Sequence, residues 1–318
     1  MTTPPPGAVP AADAAAVTRH ATRLSVAVAA VLIALKAFAW GASGSTSVLA
    51  SLTDSGLDLV ASLITFFAVR WAAAPPDAEH RHGHGKAEAL AGLVQSGLVF
   101  ASAGFIGWHA IQRIFDPQRV LAGGWAVGVM LISIALTAAL VVAQTRALKK
   151  AGSPAVAADR AHYAADLASN VVALIGVVAG AFLLAPGLDA AAGLIVAVWL
   201  FWGAVSVLRH SADHLLDREL DAATSGRITA LVLQDPRISG VHQLRTRTSG
   251  VVAAIQMHVD LDPNLTLEAA HAILIEAENR ILAEIPAADI LIHADPRGRA
   301  QPHGGAFAEP ATAVPQAG

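Results

Sequence analysis

Residues 51–72 read SLTDSGLDLVASLITFFAVRWA. The stretch is apolar and long enough to cross a bilayer as one helix, for which about 20 residues suffice. Two aspartates, Asp54 and Asp58, nevertheless lie inside it. At a spacing of four they share one helix face. A carboxylate at mid-membrane costs about 2.5–3.5 kcal/mol on insertion scales, so a pair on one face implies use. A second stretch, AHYAADLASNVVALIG at 161–176, repeats the spacing with His162 and Asp166. Two ligands from each of two facing helices make a tetrahedral N/O site, a geometry favoured by zinc and open to ferrous iron, cobalt and cadmium. Because these helices run in opposite directions, Asp54 should lie level with Asp166, and Asp58 with His162. Without metal, such a cluster of carboxylates must hold protons or water. Metal binding therefore releases protons.

Composition agrees with a membrane location. The 318 residues are 55% apolar and 14% charged, against about 25% charged in soluble domains, and mean hydropathy is +0.55. The net charge of −3 gives no footprint for nucleic acid. The absence of cysteine removes disulfides, thiolate metal sites and cysteine nucleophiles together. Any metal must be held by His, Asp, Glu and carbonyls, a set suited to zinc, ferrous iron and manganese rather than cuprous copper.

Six apolar runs organise the chain, roughly Leu24–Trp40, Val48–Val69, Ala87–Ile111, Trp125–Ala143, Ala155–Leu184 and Leu188–Leu208. They lack the alternation of barrel strands, so a six-helix membrane domain over 19–210 is expected. Residues 1–18 are Pro- and Ala-rich and read as a disordered tail. Arg19, Arg23, Arg70, Arg81, Lys86, Arg146, Lys149, Lys150, Arg160, Arg209 and Arg218 gather at one side, while the alternate loops hold Arg113 and Arg119. The positive-inside rule then puts both termini in the cytoplasm. From about residue 211 the pattern changes. Asp221–Gln234 reads as an amphipathic helix, Val241–Thr248 and Val251–Leu261 as strands joined by a Ser249-Gly250 turn, Thr266–Glu284 as a helix and Asp289–His293 as a strand. That order gives an α+β domain over 211–297, followed by a polar, disordered tail over 298–318.

Two further groups of histidines stand out. The loop PPDAEHRHGHGKAEAL at 75–90 holds Asp77, His80, His82 and His84; such a tract binds metal or is merely solvated. His242, His258, His271 and His293, with Asp295, are spread over separate elements of the α+β domain, where a shared metal site and ordinary surface histidines both fit the spacing. Lys36 reads as a structural lysine snorkelling from the outer end of the first helix. Gln95, His109 and Asn170 read as interhelical hydrogen-bond partners.

These motifs together resemble the cation diffusion facilitator family, nearest to its bacterial zinc and ferrous-iron efflux members, over about residues 20–296. SLTDSGLDLVASLITFFAVRWA is similar to the family's D-x-x-x-D motif and AHYAADLASNVVALIG to its H-Y-x-x-D partner. HRHGHGKAEAL resembles its loop motif, implying Asp77, His80 and His84 as a second site; the extra His82 leaves open which histidines bind. VHQLRTRTSG, IQMHVDLD, EAAHAIL and LIHADP resemble its cytoplasmic domain, implying His242, His258, His271, His293 and Asp295 as ligands of a metal pair that supports dimerisation. Ala294 departs from the polar residue frequent there. The resemblance implies a ferredoxin-like cytoplasmic domain, a homodimer in the inner membrane, and an ion pair of Lys86 with Asp217 clamping the membrane halves.

The function expected is efflux of a divalent cation, zinc first and ferrous iron, cadmium, cobalt or manganese as alternatives, in exchange for protons by alternating access. The C-terminal domain would sense cytosolic metal. An intramembrane metalloprotease would want H-E-x-x-H on a helix, and the sequence has none, so the chain does not read as an enzyme. A channel without proton coupling and a membrane scaffold or metal sensor remain as rivals.

Overall fold

The computed structural model describes residues 7–43, 46–115, 124–182 and 188–299. Six long helices come first: α1 (Ala11–Ser43), α2 (Thr46–Ala72), α3 (Ala87–Phe115), α4 (Gly124–Ala151), α5 (Pro154–Phe182) and α6 (Leu188–Leu215). All but α5 are long and apolar enough, among the described residues, to cross a membrane. α5 is 29 residues long, packs against α2, α3, α4 and α6, and carries His162 and Asp166; some of its C-terminal side chains lie outside the described set. It is the sixth helix of the membrane bundle.

The bundle is inverted relative to a soluble protein. Large apolar side chains such as Phe38, Phe67, Phe105, Trp108, Ile195 and Trp202 are exposed, each above 60%, which suits a lipid surround. Small residues fill the contacts, as expected where close backbone approach drives helix association. On the α3–α6 seam a Cβ at Gly92 would collide with Ser211 Oγ, one at Gly107 would meet Ala197 at 3.4 Å and one at Gly193 would meet Ala110 at 3.1 Å. As numbers rise on α3 they fall on α6, so the two helices run antiparallel.

The sequence reading placed the start of helix too late. Residues 11–18, expected as disordered tail, are the first two turns of α1. The AADAAA run just after Pro10 has the highest helix propensity available, and Pro is tolerated where a helix begins. Gly7 is also ordered: its carbonyl accepts from Ala287 N at 3.0 Å. Its φ of +81° is accessible to glycine, and a Cβ there would stand 2.6 Å from Ile285 Cγ2. Residues 1–6 and most of the expected C-terminal tail, 300–318, lie outside the described residues.

The second compact unit comprises α7 (Ala222–Val232), β1 (Gly240–Ser249), β2 (Val252–Leu261), α8 (Leu267–Glu284) and β3 (Ala288–Pro296), a ferredoxin-like α+β unit. β2 is central, antiparallel to β1 and parallel to β3. The hairpin loop is Gly250-Val251, one residue later than the sequence suggests, with Gly250 at φ +60°. Alternation sends Ile255, Met257 and Val259 into a core shared with Ile228 of α7 and Ile273, Ala277 and Ile281 of α8. The opposite sheet face is left for polar side chains. Asp221 caps α7 by accepting from Thr224 N at 3.0 Å, and Thr266 caps α8 by accepting from Ala269 N at 3.2 Å.

Asp235 anchors the α7–β1 turn. Arg237 donates to both its oxygens, at 2.8 and 2.6 Å, and Arg280 of α8 lies 3.6 Å away. The Arg237 hydrogen bonds hold the Asp235 carboxyl down to about 2 from the ordinary 3.8. A depressed folded-state value gives stability that is whole above the ordinary value and lost as pH falls towards 2. Urea denaturation of the 217–299 fragment, followed by circular dichroism, should show stability falling more steeply between pH 4 and 2 in wild type than in Asp235→Asn. Equal slopes would rule out this anchor.

Candidate metal centre

α2 and α5 bring three of the four expected intramembrane ligands together. His162 Nε2 lies 3.2 Å from Asp58 Oδ1 and 3.6 Å from Asp166 Oδ2. One ligand atom from each residue falls within 4.8 Å of the others. Asp58 and His162 are buried, at 7% and 5% exposure. The expected levelling of Asp58 with His162 is therefore met. Asp54 is on the same face of α2 one turn earlier, but it is exposed and its carboxylate stands outside this group. His162 Nδ1 and Asp166 Oδ2 are buried without a hydrogen-bond partner. An imidazole and two carboxylates converging with an unsatisfied oxygen fit a divalent cation as cargo, with coordination left for Asp54 or water.

The neighbours that hold α5 in place were mostly invisible in the sequence. Ser153 Oγ caps the helix, accepting from Val156 N at 3.3 Å and donating to Glu88 Oε2 of α3 at 2.5 Å. Tyr163 is hydrogen-bonded to Ser62 of α2 at 2.6 Å, one residue from His162. Asp159, only 1% exposed, accepts from Gln144 of α4 at 2.8 Å and from Gln95 of α3 at 3.5 Å. Gln95 also donates to Ala61 O and Thr65 Oγ of α2, as its expected interhelical role requires. His109 is exposed and meets Phe105 of its own helix edge to face. The one available signal for Asp159 was a second carboxylate beside Asp166 inside the fifth apolar run, three positions before His162.

Lys36 departs from the snorkelling reading. It is 6% exposed, and its ammonium donates to Ser51 O at 3.1 Å and Ser55 Oγ at 2.6 Å on α2. Those inward acceptors satisfy it without the interface.

The loop between α2 and α3 gathers Asp77, His80 and His84. Asp77 lies 3.3 Å from His80 Nδ1 and 3.2 Å from His84 Nε2. The backbone amides of His80 and Glu79 donate to Asp77 Oδ1 at 2.6 and 2.9 Å, and that from His80 chiefly holds its carboxyl below the usual range. His84 Nδ1 is buried and unpartnered. His82 is exposed and outside the group. Gly83, at φ +77°, permits the bend. Lys86 donates to Leu215 O at 3.4 Å, and Asp217 lies 3.7 Å from Arg247.

On the open sheet face of the second unit, His242, His258 and His293 stand in one cross-strand row, and Asp260 pairs with Asp295. Asp295 Oδ2 lies 2.8 Å from His258 Nδ1 and 3.4 Å from His242 Nε2, and its Oδ1 is 3.4 Å from His293 Nε2. His242 Nε2 is buried with no hydrogen-bond partner, so the donor set fits a bound metal. A bulge between His242 and Arg245 lies beside the row. Asp260, 3.7 Å from His242, was missed; its position two after His258 on a strand was the signal. His271 is exposed on α8 and outside the group.

A bundle of membrane-length helices with a buried carboxylate–imidazole cluster at its α2–α5 contact defines a multi-pass membrane carrier of divalent cations. The chain belongs to the cation efflux, or cation diffusion facilitator, family. Residues 22–216 match the cation efflux transmembrane domain and residues 220–297 the cation efflux protein cytoplasmic domain. It is 42% identical over 278 residues to the cation-efflux pump FieF of Shewanella oneidensis, covering 87% of this chain and 93% of that one. The FieF of Klebsiella pneumoniae is 39% identical over 280 residues, covering 86% and 90%. Among solved structures, the zinc form of the transporter CzrB is similar at 26% identity and TM-score 0.25, over 27% of this chain and 98% of that one. The metal-bound C-terminal domain of CzcD from Thermotoga maritima matches at 22% identity and TM-score 0.24, over 25% and 93%. The protein is a divalent metal cation efflux transporter.

Removing one ligand should cost more than the 10–100-fold typical of outer-shell changes. Zinc uptake into proteoliposomes, read as the zinc concentration for half-maximal rate, should weaken at least about 100-fold in Asp58→Ala, His162→Ala and Asp166→Ala, and less in Asp54→Ala. An Asp58→Ala protein with wild-type zinc dependence would remove the site.

Proposed function

We propose that the chain exports zinc, with ferrous iron, cadmium, cobalt and manganese as competitors, by metal/proton antiport with alternating access. The observation that carries the reading is the convergence of Asp58, His162 and Asp166 with unsatisfied buried atoms. A cluster with two carboxylates in a low-dielectric bundle cannot stay bare, so it exchanges cation for protons. An imidazole suits that exchange because it can carry either a proton or a metal ion on the same nitrogen. Asp54 serves as the fourth ligand, entering as the helices rearrange.

The protein works as a homodimer in the inner membrane, with both termini in the cytoplasm. His242, His258, His293 and Asp295 hold regulatory or structural metal there, with His271 contributing to the same metal pair, and Asp77, His80 and His84 take up metal at the loop. Lys86 and Asp217 form the ion pair that clamps the membrane halves.

Proteoliposomes with an imposed pH gradient separate antiport from a channel. Zinc uptake should accelerate when protons run opposite to the metal and collapse when an ionophore dissipates the gradient. Uptake independent of the gradient would contradict antiport and favour an uncoupled channel.

A further inference from the structure

Lys36 is the sole charged residue in the first apolar run, 24–40. A lysine that could reach an interface would do so. This one instead turns inward, to a carbonyl and a hydroxyl of α2. Its acceptors occupy positions 51 and 55, a stripe beside that of Asp54 and Asp58, and Ser55 lies between the two aspartates along the helix. Through Ser51 and Ser55 its ammonium is held against the same stretch of α2 that carries Asp54 and Asp58. A hydrogen-bond link between α1 and α2 needs only a neutral donor, so the choice of an ammonium calls for a reason.

Charge bookkeeping supplies one. Ionised Asp54, Asp58 and Asp166 carry three negative charges, and Lys36 returns one positive. Counting the transport-site carboxylates alone, the remaining two are those a divalent cation neutralises, and net charge is costly in a low-dielectric interior. Asp159, enclosed by Gln95 and Gln144, is common to every variant considered below and cancels in the comparison. We propose that Lys36 is a specificity-determining residue, a fixed positive charge that sets the cargo carboxylates for divalent rather than trivalent cations. It acts through the ligands as a positioning charge and never leaves the protein.

This inference rests on the transport-site reading above, and one experiment separates them. Zinc uptake into proteoliposomes is measured against increasing lanthanum(III), for wild type, Lys36→Arg and Lys36→Gln. Arginine keeps the charge; glutamine keeps a donor without it. Trivalent binding gains more than divalent binding from losing a nearby positive charge, so the lanthanum concentration that halves zinc uptake should fall about tenfold or more in Lys36→Gln. Lys36→Arg should match wild type. Lanthanum held at the loop or C-terminal site affects all three proteins alike. A Lys36→Gln protein whose lanthanum sensitivity equals wild type, whatever its uptake rate, overturns the inference and leaves Lys36 a structural link. Should Lys36→Gln not fold, Asp54→Asn is compared with Asp54→Asn combined with Lys36→Gln, in which the lost carboxylate offsets the lost ammonium. The added change must again raise lanthanum sensitivity about tenfold, and an unchanged value overturns the proposal. Zinc uptake that survives Asp58→Ala would instead sink the transport-site reading itself.

Discussion

Everything in the membrane domain answers to one constraint: ionisable side chains must sit inside an apolar bundle that solvates them poorly. Asp58 and His162 meet at 3.2 Å between α2 and α5, and neither would be tolerable there alone. Together they form a site whose ligand atoms are satisfied only by each other, by protons or by a cation. Transport chemistry follows from that incompleteness, since a fully satisfied cluster would have no reason to take up an ion.

The surrounding bundle meets the same constraint with polar links from α5 to α2, α3 and α4. Ser153 caps α5 against Glu88, Tyr163 reaches Ser62, and Asp159 gathers amides from α3 and α4. These bonds fix the rotation of α5, and with it where His162 and Asp166 point. The α3–α6 seam works differently. Gly92, Gly107 and Gly193 let the backbones approach, so close packing of small residues holds those two helices. A carrier that moves its cargo between two faces can slide along such a seam more readily than it can break a buried polar network.

The sequence made the ligand-bearing helices legible because helical period assigns faces. Asp54, Asp58, His162 and Asp166 sort themselves into two pairs by spacing alone. Strand alternation likewise separated Met257 and Val259 from His258 and Asp260. Period does not name partners, however. Lys36 looked like a snorkelling lysine because its acceptors, Ser51 O and Ser55 Oγ, belong to another helix. Spacing also says nothing of which side chains converge, so it does not separate Asp54 and His271, which stand apart here, from the residues that cluster. The beginning of α1 was misread for a different reason: alanine is at once the best helix former and a common residue of low-complexity tails. The loop histidines were ambiguous until the backbone turn around Asp77 selected His80 and His84 over His82.

Anomalous diffraction at the zinc edge, from crystals of the full chain grown with zinc, tests the central claim most directly. The account predicts a peak between α2 and α5, about 2.0–2.2 Å from Asp58, His162 Nε2 and Asp166. Peaks at the loop and C-terminal sites with none between α2 and α5 would contradict it.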